Sequence, residues 1–384
     1  MKIPQIPFPT DFDSIWQRVE SIDPYKYSKT RNFIWGAVTY LSPYISRGVI
    51  SVDDIRKVVL SKVDSPWEIE KFLQELAWRE YWQRIWLDKG DEIFSSLRNK
   101  QERIRHDLPN SVIPSAINRL ETGISAMDIG IGHLQNTGYM HNHLRMYLAS
   151  LWTNIGGYSW QDGAKWMHYY LLDGDLASNW LSWQWVCGTN SSKLYYCNQE
   201  NINKYCGTKD EGTILDLSYE ELSMNPFRTP DVMNDFDPLV FPESPNFLDV
   251  EVIRNREDLT VLGSEKIFLY HWYHLDPRWI VEDSGMRLFL IEPSYFKKFP
   301  VSDVVLNFVM ALAREIPNIK IVFCEFQELK SWFPASTFIT REHPIVRHWD
   351  AQKDSRPWMS VQASATGSFF NFWKKASRDI MEKG

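Results

Sequence analysis

The sequence predicts a mainly α protein in three stretches. Residues 1–207 read as an all-helical part, 208–262 as an irregular connector, and 263–384 as a small α/β part with a short parallel sheet. Three observations predict it. Before residue 208, apolar side chains recur three and four residues apart, the period of a helix with one buried face. Between 208 and 262, Asn225-Pro226, Thr229-Pro230, Asp237-Pro238, Phe241-Pro242 and Ser244-Pro245 break any long element. From Lys266, short apolar runs and a helical pattern follow one another, and a strand–helix–strand unit implies a parallel sheet.

Residues 11–60 read as helices and loops, with Leu41–Ser51 a turn-rich junction ending in a new helix near Val52. From Trp67 to Trp86 the apolar positions Ile69, Phe72, Leu73, Leu76, Ile85 and Trp86 keep helical spacing, between a start signal at Pro66 and a stop at Gly90. Residues 98–120 are polar and broken by proline, which predicts a surface excursion. Helical pattern returns over Ser125–Trp152 and Trp160–Leu172. In the last third, Ile267–Tyr270, Arg287–Ile291 and Lys320–Cys324 suit buried strands. Val301–Ile316, between the last two, carries a helix.

Composition narrows the function. The net charge of -7 is uneven: residues 1–207 hold 22 basic and 22 acidic side chains, the remainder 20 and 27. Phosphate contacts drive most non-specific DNA affinity, so so acidic a chain is no obvious binder of long DNA, although the neutral half leaves room for a local basic face. Four cysteines do not make a disulfide framework and fit a reducing cytoplasm. Met1–Thr10 is not a charged-then-apolar leader, and no run of about 18 apolar residues occurs, which predicts a soluble cytoplasmic chain with no membrane partner. Of 18 tryptophans, twelve precede residue 208.

That region also holds the residues with chemistry. Glu75, Trp78, Arg79 and Trp82 share one helix face, which by itself describes an amphipathic helix with a solvated Glu75–Arg79 pair. Asn142 and Met146 stand one turn apart in Tyr139-Met140-His141-Asn142-His143-Leu144-Arg145-Met146. Asp173 of Asp173-Gly174-Asp175 could pair with Arg145, because a buried carboxylate needs a cation or several donors. Acids, amides and arginine can hold the polar edge of a flat redox-active ring, and nearby indoles can pass it electrons. Trp160 and Trp183 otherwise read as core indoles. Metal readings fail. Cys187, Cys197 and Cys206 are widely spaced, Cys324 lies in another part, His141 and His143 cannot aim at one ion from a helix, and His271 and His274 end a strand run. The α/β part has no glycine-rich dinucleotide fingerprint and no phosphate-binding P-loop.

Glu75-Leu76-Ala77-Trp78-Arg79-Glu80-Tyr81 is similar to the E-x-x-W-R-E-F/Y motif of the cryptochrome/photolyase family. With Tyr139–Met146 and Asp173–Trp185 it makes residues 25–207 resemble that family's flavin-binding core. The resemblance implies FAD as cofactor. It implies that Glu75 hydrogen-bonds a damaged pyrimidine pair, that Trp78 stacks on it, and that Trp185 forms the second aromatic wall. Asn142 followed by Met146 looks like the cyclobutane-dimer type, where relatives that repair (6-4) photoproducts carry histidine. Arg79, Arg145, Asp173, Gly174, Asp175 and Asn179 would border the flavin, Asp175 at its polar edge and Asn179 at N5. Val38-Thr39-Tyr40-Leu41-Ser42 stands where the family has T-S-x-L-S, so its first hydroxyl is missing and Thr39, Ser42 and backbone amides would hold the pyrophosphate, with Tyr27, in preference to Tyr25, upstream. Trp183 matches the flavin-proximal tryptophan and Trp160 the middle one. The usual surface tryptophan would fall near His106–Leu108, where this chain has none; Trp166, Trp180 or a tyrosine could end another route.

The implied activity is blue-light-driven electron transfer by FAD that repairs cyclobutane pyrimidine dimers, a deoxyribodipyrimidine photo-lyase acting on damaged single- or double-stranded DNA. The alternative is a cryptochrome-like photoreceptor with the same flavin, a signalling partner protein and no repair; a third class is a flavin-binding scaffold or light-independent redox protein. The family places an α/β antenna domain before the flavin domain, and here a similar-looking unit follows it, either a relocated remnant or an unrelated domain. Whether an antenna chromophore binds is open.

Overall fold

The computed structural model describes residues 3–4, 6–98, 104–191, 193–224, 230–242, 247, 251–259, 265–361 and 367–382. The expected breaks at Asn225-Pro226, Thr229 and Ser244-Pro245 lie outside them. Helices run in chain order α1 (Phe12–Glu20), α2 (Pro24–Thr30), α3 (Ser42–Ser46), α4 (Val52–Leu60), α5 (Glu70–Lys89), α6 (Ser115–Arg119), α7 (Ser125–Thr137) and α8 (Asn142–Ser150). They continue as α9 (Trp160–Tyr170), α10 (Leu176–Val186), α11 (Gln199–Cys206), α12 (Tyr219–Met224), α13 (Pro293–Lys298), α14 (Asp303–Arg314), α15 (Phe326–Trp332) and α16 (Phe369–Met381). The strands are β1 (Val112–Pro114), β2 (Phe236–Pro238), β3 (Lys266–Tyr270), β4 (Met286–Ile291), β5 (Lys320–Phe323), β6 (Thr337–Arg341) and β7 (Gln352–Asp354). The protein is mainly helical with one small α/β part, as the sequence predicts.

The chain condenses into two compact units that alternate along the sequence. The first gathers Met1–Ile6, Asp23–Val38 and Asp88–Phe241, the second Pro7–Ile22, Thr39–Leu87 and Pro242–Gly384. These bounds cut the chain differently from 1–207, 208–262 and 263–384. The physical cause is α5, which bonds to the C-terminal chain: the Tyr81 hydroxyl donates to the Gly367 carbonyl (2.6 Å) and the Met359 N–H to Glu80 (2.7 Å).

In the first unit α10 packs on α9 and α8, and α8 on α7. Side-chain caps set the helix starts. Ser159 caps α9, Asp175 caps α10 and Asn198 caps α11, each accepting a backbone N–H of the first turn. The single helix expected over Ser125–Trp152 is two, because Gly138 takes the left-handed conformation (φ 73°) and closes α7. A wide π-type turn, Leu151–Ile155, follows α8. The surface excursion expected over 98–120 is partly interior: β1 pairs antiparallel with β2, and Val112, Ile113, Ala116 and Ile117 are buried. Pro109 precedes β1 and Pro114 ends it, so proline marked breaks in structure, not exposure.

In the second unit the sheet order is β5-β4-β3-β6-β7, every pairing parallel. β3 lies in the middle, with successive strands added first to one side and then to the other. Ile267, Leu269, Leu288, Leu290 and Val322 point from the three expected strands into a core shared with Phe326, Trp332, Phe338 and Trp349. The sequence missed β6 and β7, whose Thr-Phe-Ile-Thr-Arg and Gln-Lys-Asp offer no apolar run. Among the described residues no helix is long and apolar enough to cross a membrane.

Candidate functional site

In the first unit, His141 caps α8, its Nδ1 accepting the His143 N–H at 3.2 Å. The next residue, the exposed Asn142, donates Nδ2 to Met146 Sδ one turn on, at 3.6 Å, so the two share a face as their spacing required. Arg145 donates Nε to the Met140 carbonyl (2.7 Å) and places Nη2 3.0 Å from Asp173 Oδ2. The expected Arg145–Asp173 pair is therefore present, with Asp173 buried. Gly174 makes the turn that follows tight: a Cβ there would stand 3.0 Å from the Leu171 carbonyl oxygen and 3.1 Å from that of His168. Asp175 accepts the Ser178 N–H at 2.6 Å, and Asn179 donates to the Ala164 carbonyl at 2.7 Å.

The indoles of this unit differ in setting. Trp185 is half-buried against Tyr195, ring centres 5.7 Å apart. Trp183 lies inside, pressed on α9 where Gly163 leaves room: a Cβ on Gly163 would fall 2.3 Å from its ring. Its ring neighbour is Trp152, at 5.9 Å and 84°. Trp160 donates its indole N–H to Ser96 Oγ at 3.3 Å. Tyr27 sits half-buried on α2, and Val38 closes that segment.

The second unit holds the other expected residues. Tyr40 takes a left-handed backbone (φ 54°), uncommon for a bulky residue, between Thr39 and Leu41. The Leu41 N–H donates to Thr39 Oγ1 at 3.4 Å, Arg18 donates to the Tyr40 carbonyl at 3.5 Å, and Ser42 opens α3. On α5, Glu75 pairs with Lys71 at 3.0 Å, an exposed pair of small energetic weight. Arg79, read from spacing alone as its partner, donates to Ser46 Oγ at 2.8 Å. Trp78 packs near Trp82 and Tyr81, and Phe369 of α16 stacks on its face, ring centres 3.7 Å apart at 9°. Sequence reasoning missed Phe369 because no local pattern ties α16 to α5. It missed Trp152 as well, whose only signal is being an eighth-residue neighbour of Trp160 in an aromatic-rich stretch.

The donor set fits a cofactor with ring carbonyls and nitrogens. One polar atom beside the motif helices, Ser178 Oγ, is enclosed without a hydrogen-bond partner among the described residues. Such a group calls for one, since an unmet buried donor costs about 1–3 kcal/mol. Burial, with the charges of His143 and Arg145 nearby, holds the His141 imidazole neutral, its pKa pushed down to about 3. With Nδ1 accepting, its proton rests on Nε2. All four cysteines are buried and free, and burial pushes the thiols of Cys197, Cys206 and Cys324 up to about 12, away from the thiolate a metal would need. Among the described residues no three His, Cys, Asp or Glu side chains converge as a metal site.

Residues 72–212 match the family model described as the FAD binding domain of DNA photolyase. A deoxyribodipyrimidine photo-lyase of Streptomyces griseus is 32% identical over 155 residues, covering 40% of this chain and 33% of the relative. A chloroplastic/mitochondrial cryptochrome DASH of Ostreococcus tauri is 31% identical over 193 residues, covering 48% and 34%. A crystal structure of a bacterial class III photolyase from Agrobacterium tumefaciens shares 27% identity and a TM-score of 0.43, covering 51% of this chain and 42% of its own. The chain thus spans about a third of the length of the curated relatives it matches. The resemblance to the cryptochrome/photolyase family is borne out over the matched stretch, and the cofactor it assigns is FAD.

Proposed function

We propose that the chain is a cyclobutane-dimer photolyase that acts on damaged DNA in the cytoplasm, with residues 1–207 as its flavin-binding region, 208–262 as connector and 263–384 as an α/β accessory part. What carries this reading is the buried Arg145–Asp173 pair, next to the Asp175 cap, inside the stretch that matches an FAD-binding domain. When bound, FAD supplies the light-driven electron, which is the cofactor's own chemistry.

The chain's residues bind and orient. Arg145 and Asp173 fix each other at the flavin's border, Asp175 and Asn179 meet its polar edge and N5, and Gly174 keeps the turn between them close. The family resemblance gives Arg79 a flavin-binding role too, and assigns the pyrophosphate to Thr39, Ser42 and the amides of Val38, Tyr40 and Leu41, with Tyr27 as a further contact. A dimer flipped out of the duplex meets Trp78 and Trp185 as stacking surfaces, Glu75 and Asn142 as hydrogen-bond partners, and Met146 as an apolar contact. Trp183 and Trp160 pass electrons to the cofactor.

A photoreceptor with the same flavin and a protein partner is the second reading. The ring of Phe369 already stacked on Trp78, the net charge of -7 and the cryptochrome relatives support it. One assay separates them. Purified protein with reduced flavin is illuminated with dimer-containing oligo-dT while recovery of base absorbance is followed. Repair that vanishes in Glu75→Ala is the expected result. Bound, photoreducible flavin with no recovery would replace repair by photoreception, and a chain that never binds flavin would sink both.

A further inference from the structure

Residues 24–38, which carry α2 and the chain that follows it in the first unit, hold Lys26, Lys29 and Arg31 and no acid. Lys26 and Lys29 are exposed. Four aromatic rings stand in a file beside this segment. His143, the neighbour in sequence of Asn142, has its ring centre 5.4 Å from that of Tyr205. Tyr205 is 5.1 Å from Phe33, and Phe33 is 5.4 Å from Trp35. Exposure rises along the file: the first three rings are half-buried, and Trp35 is 54% exposed. The flavin and dimer contacts proposed above use none of the four.

The outermost ring is held in water by the structure around it. Trp35 lies against Gly207, the left-handed cap of α11 (φ 67°), where an added Cβ would fall 2.9 Å from the indole. On one side of Trp35 the Ile34 N–H donates to the Tyr205 carbonyl at 3.1 Å, and on the other the Ala37 N–H donates to Thr30 Oγ1 at 2.9 Å. The ring is thus supported from beneath while most of it faces solvent. Lys204 adds a cation, its Nζ 5.2 Å from the centre of the Tyr205 ring. Asp210, which follows Gly207 in the chain, is engaged by the N–H and hydroxyl of Ser125 at 2.9 and 2.8 Å. Aromatic faces with lysines alongside match a single strand of nucleic acid, whose unpaired bases stack on rings while its phosphates meet cations. A duplex keeps its base faces within its own stack and has nothing to lay on such rings.

We infer that Trp35, Phe33 and Tyr205, with Lys29 and Lys204, form a stacking platform for the unpaired nucleotides that flank a lesion, so that this chain prefers single-stranded DNA to duplex. The inference rests on the repair reading given above and specifies its substrate. His143 joins the platform to Asn142, so the bases next to a dimer held at Asn142 fall on the file. The cations of residues 24–38 supply the local basic face for which the acidic net charge leaves room.

The test measures fluorescence anisotropy of labelled, undamaged oligo-dT with the full chain, in the dark and without dimers. The protein is expected to bind the single strand roughly tenfold tighter than the same strand annealed to oligo-dA. Trp35→Ala should weaken single-strand binding about tenfold, the loss of one stacked base, and Trp35→Phe, which keeps a ring, only about twofold. Lys29→Ala should lower the slope of log Kd against log salt by about 0.7, one phosphate contact on a single strand. Equal affinity for single strand and duplex would overturn the platform, as would Trp35→Ala binding like the parent protein or a parent that binds no oligo-dT. Its fate separates from that of repair. Trp35-dependent binding by a protein that repairs no dimers keeps the platform and removes the repair reading. Repair of dimer-containing oligo-dT with the same KM in Trp35→Ala and the parent keeps the repair reading and removes the platform.

Discussion

Asp173 keeps a carboxylate in the interior of the first unit, its side chain 3% exposed, with Arg145 3.0 Å away as counter-ion. Removing one partner of such a pair strands the other charge. Arg145→Ala is therefore expected to destabilise the flavin-free protein by about 3–5 kcal/mol. Denaturant unfolding measures it, and a loss under about 1 kcal/mol would mean that the pair is solvated like an ordinary surface bridge. The same scale shows how the two polar chemistries differ. Glu75 pairs with Lys71 at the surface, which leaves its carboxylate able to exchange partners at little cost. Asp173 has no such freedom. That contrast suits a substrate contact in one case and a fixed cofactor border in the other.

Helix α5 carries the Glu75–Tyr81 motif, and the C-terminal chain contacts residues inside the motif and outside it. Glu80 accepts the Met359 N–H at 2.7 Å, Arg84 donates to Ser360, and Trp373 donates to Glu70 at 3.3 Å. Phe369, buried and stacked on Trp78, is the centre of that contact. Truncating so enclosed a ring leaves a cavity, so Phe369→Ala should cost about 3–5 kcal/mol in unfolding free energy. On the repair reading Phe369 backs Trp78, and the variant should then bind dimer-containing DNA more weakly. Tighter binding or faster repair would show instead that Phe369 occupies the place of the dimer. The motif was legible in the sequence; its partner was not, because α16 shows only its own amphipathic spacing.

Across the whole molecule, neutral histidines are buried in both units. In the second, His271 is held down to about 3 by burial, and His274 and His343 well below their ordinary value by the same cause, with Arg341 and Arg356 adding repulsion. In the first, His141 behaves alike. The unfolded chain takes up these protons near 6.5 and the folded one only far lower, so stability is full above that pH and falls as pH drops below it. At pH 5 each such histidine costs about 2 kcal/mol. Thermal unfolding between pH 7 and pH 5 should show a steep loss, and His271→Gln should flatten the slope. A chain as stable at pH 5 as at pH 7 would mean that these imidazoles reach water.

The sequence by itself determined the helical class, the parallel sheet, the FAD-binding stretch and the pairing of Arg145 with Asp173. These depend on periodicity within an element, or on residue types so costly to bury alone that each demands the other. Only the tertiary structure decided that α5 and the C-terminal chain share one compact unit, that residues 112–117 turn inward, that Phe369 covers Trp78, and that Trp152 stands between Trp183 and Trp166. Apolar and aromatic contacts are non-directional and join residues far apart in the chain. Nothing local in the sequence names the partner, and packing alone selects it.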